Sequence, residues 1–146
     1  MHWFAAALSV AIIWGAVYAM TGRMLMSFSP FFLIVWSAVA SLLLYLPLWI
    51  MTGVFNTDYR AFVSSQTNVK ITFILIGIFS VIAHYLLYYA IQQKNATVAS
   101  MVEITYPVFA ILFLFVVYRE IHLTSIGFLG VAVALAGLFL VLLGSR

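Results

Sequence analysis

Cysteine is missing from all 146 residues, and charge is nearly so: six Lys and Arg, three acids, 6% of the chain against roughly 25% in a soluble domain. Each scarcity removes a class of function. Without cysteine there is no disulfide frame, thiolate nucleophile or cysteine metal site. A net charge of +3 with no basic cluster provides no nucleic-acid face. Paired aspartates, a glycine-rich phosphate loop, metal-spaced histidines and a serine elbow are all missing, so neither an enzyme nor a cofactor is expected. A channel needs rings of like groups along a pore, and the acids are too few to build them. What is abundant is apolar: 67% of residues are hydrophobic and the mean hydropathy is +1.24. The solvent for such a chain is lipid.

Crossing roughly 30 Å of hydrocarbon takes about 20 apolar residues at 1.5 Å rise each. Five stretches qualify: about Trp3 to Met20, Pro30 to Met51, Ile71 to Ile91, Thr97 to Tyr118 and Ser125 to Leu143. None alternates polar with apolar as a barrel strand does, and helices satisfy their own backbone, as the bilayer requires. The expectation is an all-α, multi-pass membrane protein of five transmembrane helices forming one domain over residues 1–146. The first Lys or Arg is Arg23, after the first apolar run. A secretory signal would start with positive charge, so this run reads as an uncleaved span. The connections are short except for the polar "GVFNTDYRAFVSSQTNVK". "QQKNAT" and "REIHLT" read as tight turns, and the sequon at Asn95 sits too close to the membrane surface to carry weight.

Positive charge normally fixes orientation. Here Arg60, Lys70 and Arg119 fall on the side of the N-terminus, and Arg23, Lys94 and Arg146 on the other. The balance is even. Either another influence tips it and the chain inserts one way, or the chain inserts both ways.

Of the acids, Asp58 lies in the long loop and reads as solvated, while Glu120 follows Arg119 at a span end, where an interfacial pair is the simple account. Glu103 alone lies inside an apolar run. A charge at such depth costs about 2.5–3.5 kcal/mol even on insertion scales. It either faces a wet cavity or holds a proton and bonds a neighbouring helix. Pro107 stands four residues on. Proline lacks the N–H that would bond to the carbonyl of residue 103, so the acid and its freed carbonyl share one turn. The pair reads as a ligand or proton site at a hinge.

Helical spacing puts further residues on faces that could meet it. Ala11, Trp14, Tyr18 and Thr21 share a side of the first span; Ser37, Ser41 and Tyr45 share one of the second. His84, Tyr85, Tyr88 and Tyr89 cluster on the third; Ala99, Glu103, Tyr106, Pro107 and Ala110 form a wall of the fourth. Serines also bond their own backbone, and small residues let helices pack. Trp3, Trp49, Tyr45 and Tyr118 near span ends fit interface anchors. His84 serves equally as a packing residue or a ligand. Aromatic rings beside one carboxylate suit organic cations or zwitterions. The fifth span carries Gly127, Gly130, Ala134 and Gly137 on one face, which reads as helix packing or a dimer surface.

From Asn95 to Gly144, "NATVASMVEITYPVFAILFLFVVYREIHLTSIGFLGVAVALAGLFLVLLG" resembles the EamA-type domain of the drug/metabolite transporter superfamily. The resembling features are the small-residue start at Ala96–Ala99, the mid-helix Pro107, Glu120, Leu123–Thr124 and the Gly/Ala-rich last helix from Gly127 to Gly137. "HYLLYYAIQQKNATVAS" resembles the family's third-helix exit, and "WGAVYAMTGRML" with "SPFFLIVWSAVASLLLYLPL" its opening pair. The resemblance implies a secondary transporter of small metabolites or drugs in a bacterial or archaeal inner membrane. Members typically hold two five-helix repeats of opposite topology; this chain is one repeat. It would rebuild the architecture by pairing with an inverted copy, as in the related small multidrug resistance proteins, and the even charge count is what a dual-topology, antiparallel homodimer needs. The expected action is proton-coupled export by alternating access, with Glu103, Trp14, Tyr18, Ser37, His84, Tyr88 and Tyr106 as coupling or substrate residues and Pro107 as hinge. The alternatives are an obligate half that pairs with a different inverted chain and a non-transporting membrane subunit.

Overall fold

A computed structural model describes residues 2–120 and 124–144. Leu123 of the expected turn and Arg146 of the charge count lie outside the described residues. The regular elements among the described residues are all helical: α1 (His2–Met24), α2 (Pro30–Met51), α3 (Phe55–Ser64), α4 (Thr67–Gln93), α5 (Ala96–Glu103), α6 (Tyr106–Phe113), a wide π-type turn over Leu114–Tyr118, and α7 (Ser125–Gly144). Five segments are long and apolar enough to cross a membrane: Trp3–Met24, Pro30–Met51, Thr67–Gln93, Ala96–Tyr118 and Ser125–Gly144. This is an all-α, multi-pass membrane protein with the expected number of spans.

Local chemistry sets the helix ends. Ser29 caps α2 by accepting from the Phe32 N–H at 3.3 Å, and Pro30 takes a first-turn position, where its missing N–H costs nothing. Gly53 closes α2 with φ +76°, a left-handed turn that glycine adopts freely. Asn95 adopts extended backbone and accepts from the Val98 N–H at 2.8 Å, capping α5. Its side chain is thus structural. At the far end of the fourth span Arg119 is left-handed (φ 59°) and lays its guanidinium over the Phe115 ring at 5.9 Å.

Two features depart from the expected pattern. The long polar connection is not all loop: Phe55–Ser64 is a helix. Ten residues rise only about 15 Å, far too little to cross. The fourth span is not one kinked helix either. It is interrupted at Ile104–Thr105, and Pro107 stands in the first turn of the new helix α6. Thr105 stabilises the interruption: its N–H and Oγ1 both donate to the Val102 carbonyl, at 3.1 and 2.8 Å.

The chain divides into two compact units. One takes the chain up to Arg23 together with everything from Ala90 onward; the other is Met24–Tyr89. Among the described residues the buried ones are Leu25, Pro30, Ile91 and Ala99. Two of them belong to the first unit, where α1 comes close to α5. A Cβ built on Gly22 would stand 3.1 Å from the Ala96 Cβ and 3.9 Å from Ile91 Cγ2. One added atom already crowds that contact, and overpacking typically costs about 1–3 kcal/mol. Gly22→Leu is expected to lower the temperature at which the detergent-solubilised protein aggregates. Gly77→Leu, where a Cβ meets nothing within 4 Å, is expected to leave it unchanged.

Candidate functional site

The site belongs to the first unit and grows out of the interruption. Glu103 is the last residue of α5. Main-chain carbonyls at a helix C-terminus carry partial negative charge, and Pro107 offers no N–H to the Glu103 carbonyl. Side-chain carboxylate, helix end and unmatched carbonyl therefore concentrate negative potential in one turn.

Glu103 lines a cavity of about 480 Å³ between α1 and the α5–α6 segment. Ala7, Val10, Ala11, Trp14, Gly15 and Tyr18 form the α1 wall; Ser100, Met101, Glu103, Ile104 and Tyr106 form the opposite one. Trp14 and Tyr18 hold their rings 5.9 Å apart at 41°. Among the described residues no side chain donates a hydrogen bond or an ion pair to the Glu103 carboxylate. On the other side of the break lies a small cavity of about 80 Å³, where Ile104, Thr105, Pro107 and Val108 meet Val131, Ala134 and Leu135 of α7. Ile104 lines both, so the broken turn is the partition between them.

Four of the sequence-selected residues thus surround one cavity: Glu103, Trp14, Tyr18 and Tyr106. Ala11 joins them. Pro107 and Ala134 lie on the α7 side of the break. Gly130 and Gly137 face open space, with nothing within 4 Å of a built Cβ. Ser37, His84 and Tyr88 belong to the second unit. There the Ser37 Oγ donates to the Ile34 carbonyl at 2.9 Å. His84 places Nδ1 2.8 Å from the Ser80 carbonyl, so Nδ1 carries the hydrogen, and its ring meets Tyr88 edge-on at 6.4 Å. Sequence reasoning passed over Ser100 and Gly15. Ser100 lies one turn before Glu103, and the i, i+3 spacing was the available signal. Gly15 is signalled only by the bulk of its neighbours Trp14 and Tyr18.

Broken spans that turn a helix end toward a cavity are a construction of membrane transporters. The EamA-like transporter family matches residues 1–143, and the chain belongs to that family. No curated protein and no solved structure matched the chain.

Replacing Pro107 by Ala supplies the N–H that the Glu103 carbonyl lacks. We expect slower backbone amide exchange in the peptide spanning residues 102–108 of P107A, read by mass spectrometry in detergent. Unchanged exchange would mean that the break is held by Thr105 alone.

Proposed function

We propose that the chain is a secondary-active exporter of small organic cations or zwitterions, with Glu103 as the coupling acid. The observation that carries this reading is the Glu103 carboxylate, unpaired among the described residues and set in an aromatic cavity at a helix end. Placing a charge in that position is unfavourable, and a cation or a proton relieves it. One carboxylate then serves two occupants in turn. Deprotonated, it accepts a cation against the Trp14, Tyr18 and Tyr106 rings, a contact worth about 0.5–2 kcal/mol per ring. Protonated, it lets the empty carrier return. Exclusive occupancy is the whole of coupling: the proton and the substrate compete for one group, so a proton gradient drives substrate the other way.

The five spans act as one repeat, and two copies in opposite orientation complete the carrier, the membrane being a bacterial or archaeal inner membrane. The even distribution of Lys and Arg supports this, as does the scarcity of buried side chains within one chain. Bending at Ile104–Pro107 alternates access to the cavity. Ser37, His84 and Tyr88 are further candidate substrate residues within the second unit, and the Gly127, Gly130, Ala134 and Gly137 face of α7 packs against other helices.

In proteoliposomes with an imposed pH gradient, wild-type protein is expected to move aromatic organic cations. E103Q is expected to abolish gradient-driven flux and flatten its pH dependence, while E103D retains part of both. Flux in E103Q with an unchanged pH profile rules out Glu103 as the coupling acid. For orientation, the cysteine-free chain takes a single N56C label. Intact cells are expected to label about half of it with an impermeant thiol reagent, and the remainder only after permeabilisation. Labelling from one side alone points instead to a different inverted partner or a scaffold subunit.

A further inference from the structure

The second unit holds a cleft that the transport reading does not use. α3 carries Phe55, Tyr59 and Phe62 at i, i+4 and i+7, one aromatic face on a helix whose other residues are mostly polar. That face meets the end of α2 and the start of α4 in an open cleft of about 490 Å³, lined chiefly by Trp49, Asp58, Tyr59, Phe62, Val69 and Phe73. The rings are fixed by one another. Phe55 packs edge-on to Trp49 at 4.6 Å and stacks on Tyr59 at 6.3 Å, while Phe62 meets Phe73 edge-on at 5.3 Å.

The one carboxylate in this lining is Asp58. The Trp49 indole Nε1–H donates to its Oδ2 at 2.8 Å, which aims the carboxylate at the aromatic wall. Among the described residues no Lys or Arg pairs with it. The nearby Lys70 points its ammonium elsewhere, donating to the Val63 carbonyl at 2.8 Å. A carboxylate held among π-faces and left without a counter-charge selects its occupant by chemistry. It repels an anion. A purely apolar ligand would strip it of water and return nothing. An ammonium gains both the charge and the ring faces. Beyond the carboxylate, Phe62 of α3 and Val69 and Phe73 of α4 make an apolar track along the first turns of that span, a fit for an alkyl chain.

We propose that this cleft binds the ammonium group of an amphiphile, the charge on Asp58 and over the Trp49 and Tyr59 rings, the chain along Phe62 and Phe73. The ammonium belongs either to a lipid headgroup such as ethanolamine or to a free alkylammonium.

The test is native mass spectrometry of the full chain in the E103Q background, which removes the carboxylate of the α1–α5 cavity. The protein is titrated separately with phosphatidylethanolamine, phosphatidylglycerol of the same chains, and hexadecyltrimethylammonium. One molecule of an ammonium-bearing probe per chain is expected. D58N keeps an oxygen for Trp49 but removes the charge, and is expected to weaken that binding about tenfold. Tyr59→Leu, which leaves Asp58 in place, is expected to weaken it several-fold. Binding of the phospholipid alone assigns the site to a headgroup, and binding of the alkylammonium alone assigns it to a free cation; both support the proposal. Phosphatidylglycerol binding as well as the ammonium probes, D58N binding as well as its parent, or no probe binding at all overturns it.

Discussion

Inside hydrocarbon, a backbone N–H or C=O has no partner except the protein itself. That constraint makes every span of this chain a helix, and it makes the interruption at Ile104–Thr105 a demanding turn, since it falls inside an apolar span. The turn persists because it is serviced locally: Thr105 ties back to Val102 through both its backbone and its side chain, and Pro107 enters α6 where no N–H is required. The group left over is the end of α5, and the side chain placed there is a carboxylate.

From this follows the architecture of the first unit. The broken turn stands between two spaces, a small one against α7 and a larger one against α1. Because Ile104 lines both, a change in the turn alters both spaces together. The larger space has an aromatic wall and a single acid with no partner among the described residues. A carrier needs a site whose occupancy changes the equilibrium between two backbone arrangements, and in the proposed function the acid at the helix break would couple the two within one turn. The tight approach at Gly22 and Ala96 holds α1 against α5 at one point.

Much of this was legible in the sequence because each signal was large. Twenty-residue apolar runs have no rival reading, and Glu103 stood out as the one acid within such a run. Trp14 and Tyr18 fell on one face by simple spacing, as did Glu103 and Tyr106. The rest was hidden by weaker signals. α3 lies in a polar stretch whose apolar content is three aromatics and little else, so composition read it as loop. Asp58 looked solvated because its partner, the Trp49 indole, lies nine residues back across the turn at Gly53. Pro107 marked the disturbance in the fourth span but not its position. A proline is comfortable in a first turn, so the helix stops before it rather than bending at it. Ser100 was invisible because serines in membrane helices so often bond only their own backbone, and here its Oγ does donate to the Thr97 carbonyl at 3.0 Å.

The central claim is that the cavity at Glu103 is reached by water. The chain's lack of cysteine makes this directly measurable, because a thiol reacts with polar alkylating reagents only as the thiolate, which needs water. The measurement is the alkylation rate of Ser100→Cys, inside the cavity, against Val133→Cys, exposed on α7 within its apolar span. The account predicts that S100C reacts with a small charged reagent at least about tenfold faster than V133C. Equal, negligible rates would mean a dry cavity, and would make Glu103 a packing residue rather than the seat of transport.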